Sequence, residues 1–233
     1  MKIFLLRHFE SEKNIGDRLS GADYEKLTPD GRRECKEFSQ LFKEACNNCG
    51  ITISEIDSAD SERAMETAKI IRETFNECDI NYYVNFKSTK AGMIAGKSFE
   101  EIRRQDPFFA KHYELYRKGL LNSYYFDSNW KDGTKESKKS FETRVISCFN
   151  QIVARNDKDN VILLVAHRAS ITAILIHVAR EMGLYPECFY GSVESSVGGL
   201  SCLSINKGKW DIDFVNIQKE EITNAFNTIY NKS

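Results

Sequence analysis

The sequence holds little that would tie it to a charged polymer or a membrane. Its 33 lysines and arginines against 34 aspartates and glutamates leave a formal net charge of −1. No basic block stands out, so there is no electrostatic footprint for nucleic acid or an anionic lipid surface. No apolar run approaches the roughly 20 residues of a membrane span. The first residues enter a strand at once, without the charged region and cleavage site of an export signal. Four histidines are too few for a His-rich metal site. The seven cysteines are odd in number and irregular in spacing. Cys46 and Cys49 form a lone C-x-x-C at the end of an expected helix, with no second pair, which reads as reduced thiols rather than a disulfide framework or a zinc site. There is no internal repeat and no low-complexity segment. What remains is a cytoplasmic chain of 233 residues, 41% apolar, long enough for one large α/β domain or a domain with a sizeable insertion.

What is present is an alternation of strand and helix patterns. "MKIFLLR" and "VILLVA" (161–166) are short apolar runs of the kind that form buried strands. Thr28 and Pro29 suit the N-cap and first position of a helix, with Phe38, Leu41, Phe42 and Ala45 on its apolar face. "ITISEIDSA" (51–59) reads as a second strand, with Asp60 or Ser61 capping a helix whose inner face is Ala64, Ala68, Ile71 and Phe75. "INYYVNF" (80–86) reads as a third strand. Residues 88–135 break the rhythm. They carry Phe99, Phe108, Phe109, Tyr113, Tyr116, Tyr124, Tyr125, Phe126 and Trp130, and short helices fit 98–105 and 107–118. A long helix follows with Phe141, Val145, Cys148, Phe149 and Ile152 on one face. Another helix stops at Gly183, two strands meet at a Lys-Gly-Lys turn, and a last helix docks through Ile222, Phe226 and Ile229. This pattern predicts an α/β fold: a three-layer α/β/α sandwich with a mainly parallel central sheet. Residues 88–135 are expected as a helical, aromatic-rich insertion over its carboxyl edge, within a single domain spanning 1–233.

The polar residues that follow the strands fall in one place. After the first strand come Arg7, His8, Ser11 and Asn14; Arg63 lies in the first turn of the helix after the second; His167 and Arg168 follow "VILLVA". In a parallel sheet these junctions share the carboxyl edge, where open α/β sheets bind ligands. Helix N-termini at that edge add N–H donors and a dipole favouring an anion. Several cations with no acid nearby suit phosphate. Singly, each residue has a plainer reading: a surface ion pair for Arg, a hydrogen-bonded structural residue for His, turn and cap residues for Ser11 and Asn14.

Five segments, in order, resemble one family. "LLRHFESEKN", "DYEKLTPDGRRE", "SADSERAMETA", "KESKKSFETRV" and "VAHRASITAIL" are similar to the signature segments of the histidine phosphatase superfamily, also called phosphoglycerate mutase-like, across about residues 1–205. The resemblance implies that His8 is a nucleophile that becomes a phosphohistidine. It implies that Arg7, Arg63 and His167 hold the phosphoryl oxygens, and that Asn14 and Ser11 add neutral hydrogen bonds. No metal or other cofactor is implied. The expected partner is a small phosphorylated substrate or a phosphoprotein, with no nucleic acid and no membrane; oligomeric state is not legible.

The chain departs from the family pattern at several points. Phe9 and Lys135 stand where Gly is usual. Phe9 either narrows the mouth of the site or packs below it. Arg168 replaces a small residue and either meets a second anionic group or lies on the surface. "KSTKAGMIAGKSFEEI" aligns on Gly92, Gly96 and Glu101, which places Ser88 where the family's Glu proton donor is expected. Without protonation, transfer from a poor leaving group slows by about 10²–10⁴-fold. Three explanations stay open: another acid such as Glu100 or Asp106, a substrate with a good leaving group, or a protein that binds phosphorylated ligands and turns them over poorly. Glu10 reads as a residue that orients the loop. The sequence thus predicts a phosphatase, with a phosphomutase and a phospholigand-binding protein as rivals.

Overall fold

The structure is a computed structural model that describes residues 1–15, 25–75, 78–90, 95–118, 120, 136–184 and 193–230, with the backbone alone at 116 and 117. Strand β1 (Lys2–Arg7) buries Ile3, Phe4, Leu5 and Leu6 in succession. β4 (Val161–Ala166) does the same over its last five residues. Unbroken apolar runs of this kind arise where both faces of a strand are covered. With β2 (Glu55–Ala59), β3 (Ile80–Tyr83), β5 (Leu200–Asn206) and β6 (Lys209–Ile217), they form a six-stranded sheet in the order β3-β2-β4-β1-β5-β6. The first four strands in that order are mutually parallel, and β5 joins antiparallel to β1. β5 and β6 meet at a two-residue turn with φ of 51° at Lys207 and 77° at Gly208. Two positive φ values match the twist of the flanking strands, and glycine takes one of them without strain.

Among the described residues the helices are α1 (Pro29–Asn48), α2 (Glu62–Phe75), α3 (Phe99–Gln105), α4 (Pro107–Arg117), α5 (Lys138–Arg155), α6 (Arg168–Glu181) and α7 (Ile222–Tyr230). α1 starts as its sequence predicts: Thr28 Oγ1 accepts from Gly31 N at 2.9 Å, with Pro29 at the first position. α1 packs on α2 and α7, and α5 packs on α6. The two groups cover opposite faces of the sheet and give the three layers. Aromatic edges lock the first layer: Phe42 of α1 stands edge-on to Phe4 of β1 at 5.1 Å, and Phe226 of α7 stacks on Phe4 at 5.6 Å. On the other face Phe149 of α5 stacks on Trp210 of β6. α6 ends at Gly183, whose φ of 74° suits the left-handed stop that glycine provides.

Three elements differ from expectation. β2 starts at Glu55 because Ile51 N–H still closes onto Cys46 O as the chain leaves α1. β3 ends at Tyr83, and Val84–Phe86 coil into a 3₁₀ turn that drives Phe86 fully into the core. Phe75 and Ile229 pack at the margin of the core rather than within it. In the 88–135 segment the two short helices form as α3 and α4, the first with a full capping box between Ser98 and Glu101. Phe109 is buried and stacks on Tyr113, while Phe108 is exposed. Gly92, Tyr124, Tyr125, Phe126, Trp130 and Lys135 lie outside the described residues. Cys46 and Cys49 lie at the end of α1 and are not joined by a disulfide. No described helix is long and apolar enough to cross a membrane.

Candidate active site

The parallel register builds the site. Arg7 of β1 is opposite Ala166 of β4, and His8 N–H continues the ladder onto Ala166 O at 3.1 Å. The next residue of each strand is a histidine, so His8 and His167 emerge side by side with ring centroids 5.1 Å apart. β1 leads to α1 on one face and β4 leads to α6 on the other, so the crevice between these strand ends is a topological switch point. From β2, the far neighbour of β4, the chain turns into α2 and sends Arg63 into the same crevice. Arg63 is 1% exposed. Its Nε donates to His8 Nε2 at 3.2 Å, its Nη1 to Glu25 Oε2 at 3.1 Å, and its Nη2 lies 3.5 Å from His167 Nδ1.

These contacts assign the imidazole tautomers. A carbonyl only accepts, so the 2.7 Å contact from His8 Nδ1 to Phe9 O puts the proton on Nδ1. The Nε2 lone pair then faces the guanidinium. At His167 the guanidinium meets Nδ1, so Nε2–H donates to Ser61 Oγ at 2.9 Å. Burial, then the charges of Arg63 and Arg7, hold His8 well below the ordinary imidazole value. Burial, Arg63 and His8 do the same for His167. Both rings are therefore neutral at pH 7, and His8 carries its lone pair on the outward nitrogen.

Arg7 reaches the crevice from beside them. Its Nη1 donates to Ser195 O at 2.6 Å, and its buried Nε has no acceptor among the described residues. Buried donors of this kind are rare, and an oxyanion would satisfy this one. Burial, then the nearby charges of Arg168 and Arg63, lower Arg7 to about 10. Arg168 thus lies close enough to act on Arg7, at the first position of α6. The phenol of Tyr113, on α4, has a smaller opposing effect on Arg7.

The loop after β1 is braced by its own side chains. Asn14 Oδ1 accepts from both Ser11 N and Ser11 Oγ at 2.9 Å, so these two residues engage each other. Glu10 Oε1 accepts from Thr28 Oγ1 at 2.8 Å, and Glu10 O accepts from Thr28 N at 3.0 Å. This is the loop-orienting role its position suggested. A Cβ at Gly31 would lie 2.1 Å from Glu10 O, which accounts for the glycine of the Leu-Thr-x-x-Gly stretch. Phe9 packs below the site: it is buried, edge-on to Phe38 at 5.4 Å. Gly198 makes room for it, since a Cβ there would meet Phe9 Cε1 at 2.6 Å.

Ser88 offers only its carbonyl to a described partner, Arg144 Nη2 at 3.2 Å. Arg144 also takes Glu136 in a two-toothed ion pair at 2.6 and 2.7 Å and the carbonyls of Asn85 and Lys87. The "KESKKSFETRV" motif therefore clamps the chain after β3. Glu100 is exposed and pairs with Arg103 and Arg104. Asp106 Oδ1 accepts from Phe109 N at the start of α4. No group of three His, Cys, Asp or Glu side chains able to hold a metal occurs among the described residues.

The sequence reading did not single out Glu25, Lys13, Tyr113 or Ser195. Lys13 sits in the Ser11–Asn14 turn, where burial and the charges of Arg63 and Arg7, countered by Glu25, bring its ammonium down to about 8. Its place two residues after Ser11 in a site-bearing loop was the available signal. Glu25 had none, because its partner lies on α2, 38 positions away.

Two imidazoles and the guanidiniums of Arg63 and Arg7 thus meet at the carboxyl edge of a mostly parallel sheet, a cationic crevice whose chemistry suits an anion. The sequence profile of the histidine phosphatase superfamily (branch 1) matches residues 3–218, and the chain belongs to that superfamily. A probable phosphoglycerate mutase GpmB from Proteus mirabilis (strain HI4320) is 26% identical over 182 residues, 75% of this chain and 73% of that protein. Of solved structures, Bacillus stearothermophilus YhfR superposes with a TM-score of 0.75 at 19% identity, covering 94% of this chain and 98% of its own. A mycobacterial glucosyl-3-phosphoglycerate phosphatase superposes with a TM-score of 0.74 at 20% identity, covering 93% and 99%. At such identities the structural likeness establishes the fold.

Proposed function

We propose that this protein is a phosphohydrolase that works through a phosphohistidine at His8 and needs no metal, because its own cations carry the electrostatic load. The observation that supports this most is the neutral His8, its Nδ1–H held by Phe9 O and its Nε2 lone pair facing Arg63 inside a buried cluster. In the reaction, Arg63 and Arg7 turn their donors to the phosphoryl oxygens, with His167 beside them. Such preorganised donors in a dry site are the main source of stabilisation for a charged transition state. His8 Nε2 attacks phosphorus in line as the ester P–O bond breaks, and water then cleaves the P–N bond. Arg168 and Lys13 extend the positive field. This suits a small phosphorylated metabolite, and a phosphoprotein side chain is the larger alternative.

The test is hydrolysis of p-nitrophenyl phosphate without added metal, wild type beside His8→Ala. Turnover that disappears in the variant supports the phosphohistidine route. No wild-type turnover while vanadate still binds refutes it in favour of a phospholigand-binding protein. A second reading, phosphomutase, draws on the name of the Proteus relative. A mutase assay on phosphoglycerate separates the two.

A further inference from the structure

Breaking an ester bond to phosphorus leaves an alkoxide or phenoxide that needs a proton, and the chain after β3 offers no carboxyl for it at Ser88. Among the described residues, several carboxylates near the site are otherwise engaged: Glu10 by Thr28, Glu136 by Arg144, Asp60 by Lys87 and Glu66 by Leu27 N–H. Glu25 differs. Its carboxylate lies on Arg63 Nη1 at 3.1 Å, and the Nε of the same guanidinium touches the nucleophile His8 at 3.2 Å. The segment that carries it is pinned on several sides. Glu12 N–H donates to Lys26 O, Leu27 N–H to Glu66, Thr28 N–H to Glu10 O, and Ser11 bridges to Leu27. The Glu25 side chain is 15% exposed, so it borders both the cluster and the solvent from which a leaving group enters.

Resting on the phosphatase reading, we propose that Glu25 is the proton donor to the leaving group, the general acid of this site. In the free protein Arg63 holds Glu25 as a carboxylate. A bound phosphoryl group draws the guanidinium onto its own oxygens, so Glu25 loses the Arg63 contact and faces an anion. Both changes favour the protonated carboxyl, and a phosphomonoester monoanion, with a second pKa of about 6, brings the proton. His8 Nε2 forms the P–N bond as the P–O bond breaks. The bonding pair goes to the leaving oxygen, which takes the Glu25 proton and departs as the alcohol. In the second half Glu25 takes a proton from the attacking water. The P–N pair returns to Nε2, Glu25 hands that proton to the departing phosphate, which leaves as its monoanion, and Glu25 is again the carboxylate of the free protein. Lys13, beside Glu25, serves to hold the anion.

The experiment compares wild type, Glu25→Gln and Lys13→Met on two substrates, p-nitrophenyl phosphate and phenyl phosphate, whose phenoxide is the far more basic leaving group. Glu25→Gln should lose about 10²–10⁴-fold in kcat/KM on phenyl phosphate and less than about tenfold on p-nitrophenyl phosphate. The retained activity itself shows that the variant folds. Lys13→Met should lose similar factors on both. Equal losses on both substrates for Glu25→Gln, or no loss on either, overturn the assignment and leave Glu25 as a partner of Arg63 alone. A leaving-group-dependent loss in Lys13→Met with none in Glu25→Gln also overturns it. If wild type fails on both substrates, the phosphatase reading falls and takes this one with it. His8-dependent turnover with substrate-blind losses sinks only the acid.

Discussion

Replacing Arg63 by methionine tests the centre of the site. Methionine fills the channel occupied by the side-chain stem, and Glu25, deprived of the Arg63 contact, still has solvent within reach. The variant loses the donors that reach His8, His167 and Glu25. Truncating one partner of a buried, hydrogen-bonded charge pair costs about 2–5 kcal/mol of binding. At 1.4 kcal/mol per tenfold, vanadate affinity should fall roughly 30- to 4,000-fold by calorimetry. A second readout is electrostatic. Arg63 is the largest charge acting to lower both imidazoles. Its removal should move the His8 and His167 titrations upward toward 6.5, visible in ring-proton NMR against pH. Vanadate affinity within threefold of wild type, or histidine titrations that stay put, would refute the idea that this guanidinium organises the cluster.

Stability should fall as pH drops below 6.5. The unfolded chain protonates its histidines there while the folded His8 and His167 stay neutral, so unfolding takes up protons. Each histidine contributes a slope of at most about 1.4 kcal/mol per pH unit. Buried Asp57, raised to about 6 mainly by burial and next by Glu55, works in the opposite sense between about pH 4 and 6. The clean measure is therefore the difference in urea-unfolding slopes between wild type and His167→Gln, expected at about one proton; identical slopes would contradict a neutral His167. Gly198→Ala should destabilise by about 2–5 kcal/mol, from a left-handed alanine (about 1–2) plus overpacking against Phe9 (about 1–3). Phe9→Leu in the same chain should recover only the second part, and simple additivity of the two changes would dismiss the contact.

The strand runs and caps were legible because each is local. Thr28-Pro29, "VILLVA", Gly183 and the Lys-Gly turn all carry their own reasons for their shape. The convergence of His8, Arg63 and His167 was legible because parallel strands put all their exits on one edge. What escaped depended on register and long-range pairing. Glu25 reaches Arg63 through long-range pins on its segment, among them the bridge of Ser11 to Leu27 and the Leu27 N–H bond to Glu66. Asn14 turns its oxygen back to Ser11. β3 gives way at Val84 because burying Phe86 outweighs the β preference of its neighbours. Whether Phe9 would sit in the mouth or beneath it turned on Gly198, nearly two hundred residues later.

The guanidinium of Arg7 is aimed by a main-chain oxygen of Ser195, and the same return loop ties Gly198 N–H and Gly199 O to β1. Placement by backbone makes this part of the site indifferent to much point variation. Small residues at 195 can interchange over generations, because the oxygen stays wherever the loop goes. Length is the trait under constraint: one residue inserted or deleted between Val193 and Leu200 would swing the carbonyl away while leaving every chemical group in the protein intact. Gly198 and Gly199 are the exceptions, since a side chain at either would collide with Phe9 or Asn216; elsewhere in the stretch spacing matters more than composition.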